Sequence, residues 1–257
     1  MLLLHYQPVL DLERGPVGVE ALIRLHHPKR GVLLPAAFSR SLDHPTLGKR
    51  IGRLVLDMAM TQAELWQRQG LDLRISVNIG PRHLLETGFP GDLCEALNAH
   101  PEIPPSRLMV EITETAPMLD FQRTKQALLA CGRLGVGVAL DDFGTGNAPL
   151  TWLQKLPAET VKIDRSFVRE MPHDPRSHAI VSGMVDTGRM AGLEMVAAGV
   201  ESPSQVSLLS QMACARLQGY AIARPMPAEE VPGWFRSCAL HQQWGGVLAP
   251  LSQTCHA

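Results

Sequence analysis

Short apolar runs alternate along the chain with longer segments in which hydrophobic residues recur every three to four positions. The runs at 3–12, 17–25, 73–79, 108–113, 136–141, 160–163, 194–197 and 215–218 predict about eight strands. Several are nearly continuous in Val, Ile and Leu, the pattern of strands covered on both faces. Between them, 51–68 carries Leu54, Val55, Met58 and Ala59 on one stripe, 120–134 carries Phe121, Thr124, Leu128 and Cys131, and 178–191 carries Ile180, Val181, Met184 and Val185. These spacings predict amphipathic helices. Gly70, Gly135 and Gly192 fall where each should end, as left-handed caps do. Strand–helix–strand repetition predicts parallel strands joined by right-handed crossovers. Eight units in 257 residues favour an α/β fold of the closed (β/α)8 TIM-like barrel type. No Gly-x-Gly-x-x-Gly follows the first strands, which weighs against a dinucleotide fold. The division expected is a barrel over 1–236 and a C-terminal tail over 237–257.

Composition narrows the classes. With 45% hydrophobic and 19% charged residues the chain is globular, not disordered or fibrous. Lys plus Arg number 24 against 25 Asp plus Glu, so bulk charge draws in neither DNA, an RNA polymer nor an anionic membrane. The five cysteines are scattered, odd in number and without C-x-x-C spacing, which argues against a disulfide framework or zinc ribbon and for a reducing cytoplasm. Residues 1–5 are apolar but lack the cationic start of a signal peptide. No apolar run approaches the ~20 residues that span a bilayer. A cytoplasmic chain is expected, a description that also fits the cytoplasmic part of a larger, membrane-attached protein.

Polar residues collect at the predicted strand ends. Glu20 closes the apolar stretch Pro16–Val19 and Asn78 the strand from Leu73. Glu111 and Glu114 lie at the end of the strand from Leu108. Asp141 and Asp142 close the next strand, Lys162 and Asp164 the one after, and Gln218 the last. In a β/α barrel these ends converge on one mouth, where active sites are built. Four or five carboxylates there repel one another without a counter-charge, and oxygen donors of this kind suit Mg²⁺ or Mn²⁺. An Asp-Asp pair can bridge two ions about 3.5–4 Å apart, the spacing used for in-line attack on phosphate esters. Taken singly, each feature has a plainer reading. Asp142 or Asn78 could cap a helix, Lys162 could be a solvated charge, His26-His27 could sit on a surface loop, and Met58 and Met60 could be core. The coincidence of polar residues at successive strand ends favours chemistry.

These residues lie in an ordered set of motifs: Tyr6-Gln7-Pro8, Glu20-Ala21-Leu22-Ile23-Arg24, Ser76-Val77-Asn78, Glu111-Ile112-Thr113-Glu114, Asp141-Asp142-Phe143-Gly144-Thr145-Gly146, Lys162-Ile163-Asp164-Arg165-Ser166-Phe167, Gln218-Gly219-Tyr220 and Arg224-Pro225. In this the chain resembles the EAL domain family, bacterial phosphodiesterases of cyclic di-GMP, from about Tyr6 to Phe235. The resemblance implies a β/α barrel whose first strand often runs antiparallel, two Mg²⁺ or Mn²⁺ ions, cleavage of cyclic di-GMP to linear pGpG, and a homodimer. It implies Glu20, Asn78, Glu111 and Asp141 as metal ligands, with Asp141 bridging and Asp142 on the second ion. Lys162 matches the lysine near the attacking water, Gln218 a support of the metal-water shell, and Glu114 the acid that fixes the Asp-Phe-Gly-Thr-Gly loop. Gln7, Leu22, Arg24 and Asp164 fall at positions of substrate contact, Arg24 on a phosphate.

Departures also stand out. The family's usual Glu-Gly-Val-Glu reads Ala198-Gly199-Val200-Glu201 here, so a carboxylate assigned to the second metal or to water activation is missing. Asn147-Ala148-Pro149 and Ala215 depart less consequentially. Two expectations follow: a metal-dependent phosphodiesterase slowed by Ala198, or a catalytically silent domain that binds cyclic di-GMP as a sensor.

Overall fold

The computed structural model describes residues 1–42, 44–145 and 151–240. Its strands are β1 (Leu2–Asp11), β2 (Gly15–His27), β3 (Gly31–Leu33), β4 (Arg74–Asn78), β5 (Leu108–Thr113), β6 (Gly137–Phe143), β7 (Thr160–Ile163), β8 (Glu194–Ala197) and β9 (Arg216–Leu217). The order β1-β9-β8-β7-β6-β5-β4-β2 is closed by β1–β2 pairing, giving an eight-stranded barrel with β3 on the outer edge of β2. β1 runs antiparallel to both neighbours, and β2 and β4 through β9 are parallel around the rest of the wall.

Alternation along the strands separates core from chemistry. In β5, Leu108, Val110 and Ile112 are wholly buried among core residues, while Glu111 is buried but polar. Met195 of β8 lies against Gly188 of the helix behind it, so Glu194 and Val196 point the other way, into the lumen. The near-continuous apolar reading of these strands therefore combines a helix-facing set with lumen residues of mixed polarity.

The outer layer includes α1 (Pro45–Arg68), α2 (Phe89–Ala99), α3 (Phe121–Arg133), α4 (Arg165–Glu170), α5 (Pro175–Met190), α6 (Pro203–Gln211) and α7 (Val231–Leu240). α1 and α5 begin earlier than their apolar stripes suggest, because each has proline in its first turn, a place where the missing N–H costs nothing. Asp120, Asp174 and Ser202 cap α3, α5 and α6. Gly70, Gly135 and Gly192 adopt φ of 78°, 79° and 72°, the left-handed caps expected.

Three expectations change. Glu20 does not close a strand: β2 continues to His27 because it forms a long hairpin with β1, so Glu20 sits inside the wall. His26 and His27 end β2 and pair with β3, not a loop. Helix α7 runs through Leu240, past the start expected for the tail at 237; residues 241–257 lie outside the described residues, as does Asn147-Ala148-Pro149.

Trp66 of α1 anchors the closure. It is 1% exposed, meets Tyr6 of β1 edge-on at 4.7 Å, and its Nε1 donates to the Ala228 carbonyl at 3.2 Å. Trp66→Ala is expected to cost about 3–5 kcal/mol, read as a lower midpoint in urea unfolding at unchanged slope.

Candidate active site

Four strands bring the central cluster together. Lys162 (β7) donates through Nζ to Glu20 Oε2 (β2) at 2.7 Å and to Glu111 Oε2 (β5) at 2.7 Å, with Asp141 Oδ1 (β6) at 3.5 Å. Glu20 also accepts from Asn78 Nδ2 at 2.6 Å and from Gln218 Nε2 at 2.8 Å. The parallel register explains the convergence: Glu20 stands opposite Ser76, and Asn78 opposite Glu111, so consecutive strands deliver polar side chains at one level. Lys162 is 3% exposed, not the solvated charge of the plainer reading.

The β6–β7 register shifts between Leu140 and Phe143, a bulge that re-aims the two consecutive acids. Asp142 takes φ 54°, an uncommon conformation for a side chain that is not glycine, and its N–H donates to Asp141 Oδ1 at 2.9 Å. Behind the bulge, the Gly144 N–H donates to Glu114 Oε1 at 2.8 Å. Gly144 has φ +98°, and a Cβ there would meet Met184 at 2.6 Å and Phe167 at 2.9 Å. Glu114 therefore ties the loop that carries both aspartates. Glu114→Ala is expected to slow any hydrolysis by about 10–100-fold, the range seen when a group orienting a ligand is lost, while calorimetry still detects metal binding.

Charge sets what the cluster can hold. Burial, then the Glu20 carboxylate, push Glu111 up to about 8 despite Lys162. Burial also raises Asp141, while burial of Glu20 is outweighed by Lys162, Gln218 and Asn78, which leave it below the ordinary range. Burial, Asp141 and Asp164 together raise Asp142 to about 6. Burial works against the Lys162 ammonium, but Glu111, Glu20 and Asp141 hold its pKa well above the usual lysine value. One ammonium thus faces three carboxyl groups; ionising all three would leave two negative charges uncompensated, which is why Glu111 and Asp141 are held above their ordinary range without a further cation. Glu20, Glu111 and Asp141 present oxygens within 4.8 Å of one another. That donor set and its charge deficit fit a hard divalent cation.

The remaining candidates sit around this centre. Asp142 lies beside Asp141 and Asp164 but outside the trio of converging oxygens. Asp164 caps α4, its Oδ1 accepting from the Ser166 N–H at 2.9 Å, as an acid at a strand end often does. Gln7 Nε2 donates to the Ala223 carbonyl at 3.0 Å. Arg24 is 7% exposed and donates to the Ile23 carbonyl at 2.9 Å. Leu22 lines a mostly apolar cavity of about 310 Å³ with Ile23, Ile51, Asn78 and Glu111. Ala198 follows β8, its N–H donating to the Ile163 carbonyl, at the lumen-facing parity of Glu194 and Val196. Sequence reading assigned no role to Arg224 and Tyr220, which stack with the guanidinium 4.3 Å from the ring centroid; their spacing after Gln218 was the available signal.

Known proteins share this fold. The sequence model of the EAL domain family matches residues 1–225. The bifunctional diguanylate cyclase/cyclic di-GMP phosphodiesterase MucR of Pseudomonas aeruginosa is 40% identical over 232 residues, 90% of this chain and 34% of that protein. Cyclic di-GMP phosphodiesterase PA2567 of the same organism is 33% identical over 234 residues, 91% of this chain and 40% of that protein. A solved structure described as PaMucR phosphodiesterase in complex with c-di-GMP superposes with a TM-score of 0.85 at 40% identity, covering 90% of this chain and 94% of that one. The chain spans about a third of the length of the curated relatives it matches. Among the described residues no helix is long and apolar enough to cross a membrane. The chain belongs to the EAL domain family.

Proposed function

We propose that this chain is a metal-dependent phosphodiesterase that opens cyclic di-GMP to linear pGpG. The observation that carries the reading is the trio of buried Glu20, buried Glu111 and partly buried Asp141 around Lys162, inside a barrel whose relatives are named cyclic di-GMP phosphodiesterases. Glu20, Asn78, Glu111 and Asp141 would hold one of two Mg²⁺ or Mn²⁺ ions, with Asp141 shared and Asp142 on the second. Bound there, the ions supply Lewis acidity toward the phosphodiester.

The chain's own groups do the rest. Lys162, whose Nζ donates to Glu20 and Glu111, offers positive charge and a donor beside the reacting phosphate. Asn78 and Gln218 fix the rotamer of Glu20 through its two oxygens. Glu114 holds the aspartate loop. Arg24 provides a guanidinium for a second phosphate oxygen pair, and the cavity beside Leu22 gives an apolar surface for a base.

A second reading rests on Ala198: a domain that binds cyclic di-GMP as a sensor without turning it over. Chromatography of cyclic di-GMP incubated with protein and Mn²⁺, with calorimetry of binding alongside, separates the two. Product at pGpG supports the enzyme, and binding without product supports the sensor. Neither binding nor product, in this chain and in an Ala198→Glu variant, defeats both.

A further inference from the structure

The barrel lumen holds a second cavity, of about 470 Å³, that reaches the starts of the parallel strands, the end opposite the mouth. Its wall includes Gly18, Ser76, Met109, Thr160, Val196 and Arg216. Each stands two residues before a candidate site position: Glu20, Asn78, Glu111, Lys162, Ala198 and Gln218. Side chains along a strand repeat every second residue, so these residues form the lumen layer directly beneath the site. A β/α barrel ordinarily fills that space with layers of large branched side chains. Here glycine, serine and threonine stand among them, and the lumen stays open. Met109 and Val196 are buried but lie apart from the main apolar cluster.

Two features point to a ligand. Ser76 is 6% exposed and lines the cavity, and its hydroxyl has no hydrogen-bond partner among the described residues. The rim supplies the second. Arg216 is satisfied by Glu194 at 2.7 Å and by Asp11 at 3.6 Å. Arg74 is held by Glu159 at 2.9 Å and by the Ser106 carbonyl at 3.2 Å. Arg107 meets Asp72 through Nη2, which leaves its Nε and Nη1 without a protein partner among the described residues. A guanidinium with N–H groups to spare on a cavity wall suits a carboxylate or phosphate. Val9, Val17, Met109 and Val196 give the same cavity apolar walls. Ser76 is level with Met109 on the next strand, two residues and so roughly 7 Å along the wall from Arg107.

We propose that this lower chamber is a second ligand site that takes a small organic anion bearing a hydroxyl: the acidic group meets Arg107 at the rim, a short apolar body lies in the lumen, and the hydroxyl meets Ser76. The site is distinct from the one that would hold cyclic di-GMP, and the inference does not depend on the proposed function. Glu111 lines both cavities, so the two sites share a wall.

Calorimetry of metal-free protein with 6-hydroxyhexanoate, hexanoate and inorganic phosphate tests this, in the parent chain and in Arg107→Gln, Ser76→Ala and Val9→Phe. The parent is expected to bind 6-hydroxyhexanoate about threefold more tightly than hexanoate, as one neutral hydrogen bond gives, and phosphate more weakly than either. Ser76→Ala is expected to erase the difference between the two acids. Arg107→Gln, a change at the partly exposed rim, is expected to weaken both on the order of tenfold, as loss of a charged hydrogen bond does. Val9 stands opposite Gly18 on the β1–β2 ladder, so phenylalanine there fills the chamber and is expected to remove binding. No binding of either acid to the parent at millimolar concentration overturns the inference. So does binding undiminished in both Arg107→Gln and Val9→Phe, and so does phosphate binding as tightly as the acids, which would mark a surface ion contact. Hydrolysis or binding of cyclic di-GMP by the same preparations reads the proposed function separately.

Discussion

Replacing Glu20 with alanine is expected to abolish divalent-ion binding and hydrolysis together, with product formation falling by at least about 10²–10³-fold, the loss that follows removal of one group stabilising developing charge. The carboxylate is the hub of the centre: Lys162, Asn78 and Gln218 all donate to it. Its removal leaves the buried Gln218 amide short of an acceptor, at a cost of about 1–3 kcal/mol, while the exposed Asn78 amide turns to water. It also relieves repulsion against Glu111 and Asp141, since three carboxylates share one ammonium. These effects oppose each other in metal-free protein, so little change in metal-free melting temperature is expected. The decisive quantity is the change on adding Mn²⁺. A ligand at a hundred times its dissociation constant stabilises the folded state by about 2.7 kcal/mol; the parent should show such a gain and Glu20→Ala should not. An undiminished Mn²⁺ effect in the variant would remove Glu20 from the ligand set.

Much of this centre was legible from spacing. Asn78, Asp141 and Gln218 fall close to the ends of apolar runs, and the barrel's topology does the rest by bringing such ends to one mouth. Glu111 was read at the end of the strand from Leu108 and lies two residues before its end, close enough to reach the same mouth. Glu20 was placed at a strand end because nothing local signals that Leu22 to His27 continue as a hairpin arm; the partner that holds them extended is β1. The short β3 was not seen, because three residues beside a turn carry no period. Proline in the first turn of α1 and α5 marked their starts more faithfully than the apolar stripe did. What spacing could not convey was the burial of Lys162 and its three-way pairing, nor the commitment of Gln7 to Ala223 and of Asp164 to capping α4. The Lys162 and Gln7 contacts depend on which groups meet on closure of the barrel, not on any single strand, whereas the Asp164 cap is local and was among the plainer readings of an acid at a strand end.

Ala198→Glu is expected to raise turnover of cyclic di-GMP by about 10²–10⁴-fold over the parent chain, the contribution typical of a positioned general base. The reason lies in the place of position 198. β8 pairs with β7 and β9, Ile163 and Leu217 flanking Ala197, and the Ala198 N–H continues the ladder to Ile163. The residue therefore keeps strand geometry and lumen-facing parity, level with the carboxylate-bearing end of β7. The following Gly199 adopts φ +70° with Arg165 packed where its Cβ would be, so the backbone turns away there and Glu201 cannot take over from 198. A carboxylate at 198 would add an acceptor on the side of the centre where Asp142 and Asp164 already press on each other. Metal-free, that extra charge should destabilise the fold modestly; with Mn²⁺ present it should deepen the metal-induced rise in melting temperature as well as the rate. Equal turnover in parent and variant would show that Ala198 removes nothing the reaction needs. A variant that binds Mn²⁺ more tightly yet forms no pGpG would place the defect elsewhere in the centre, and would favour the sensor.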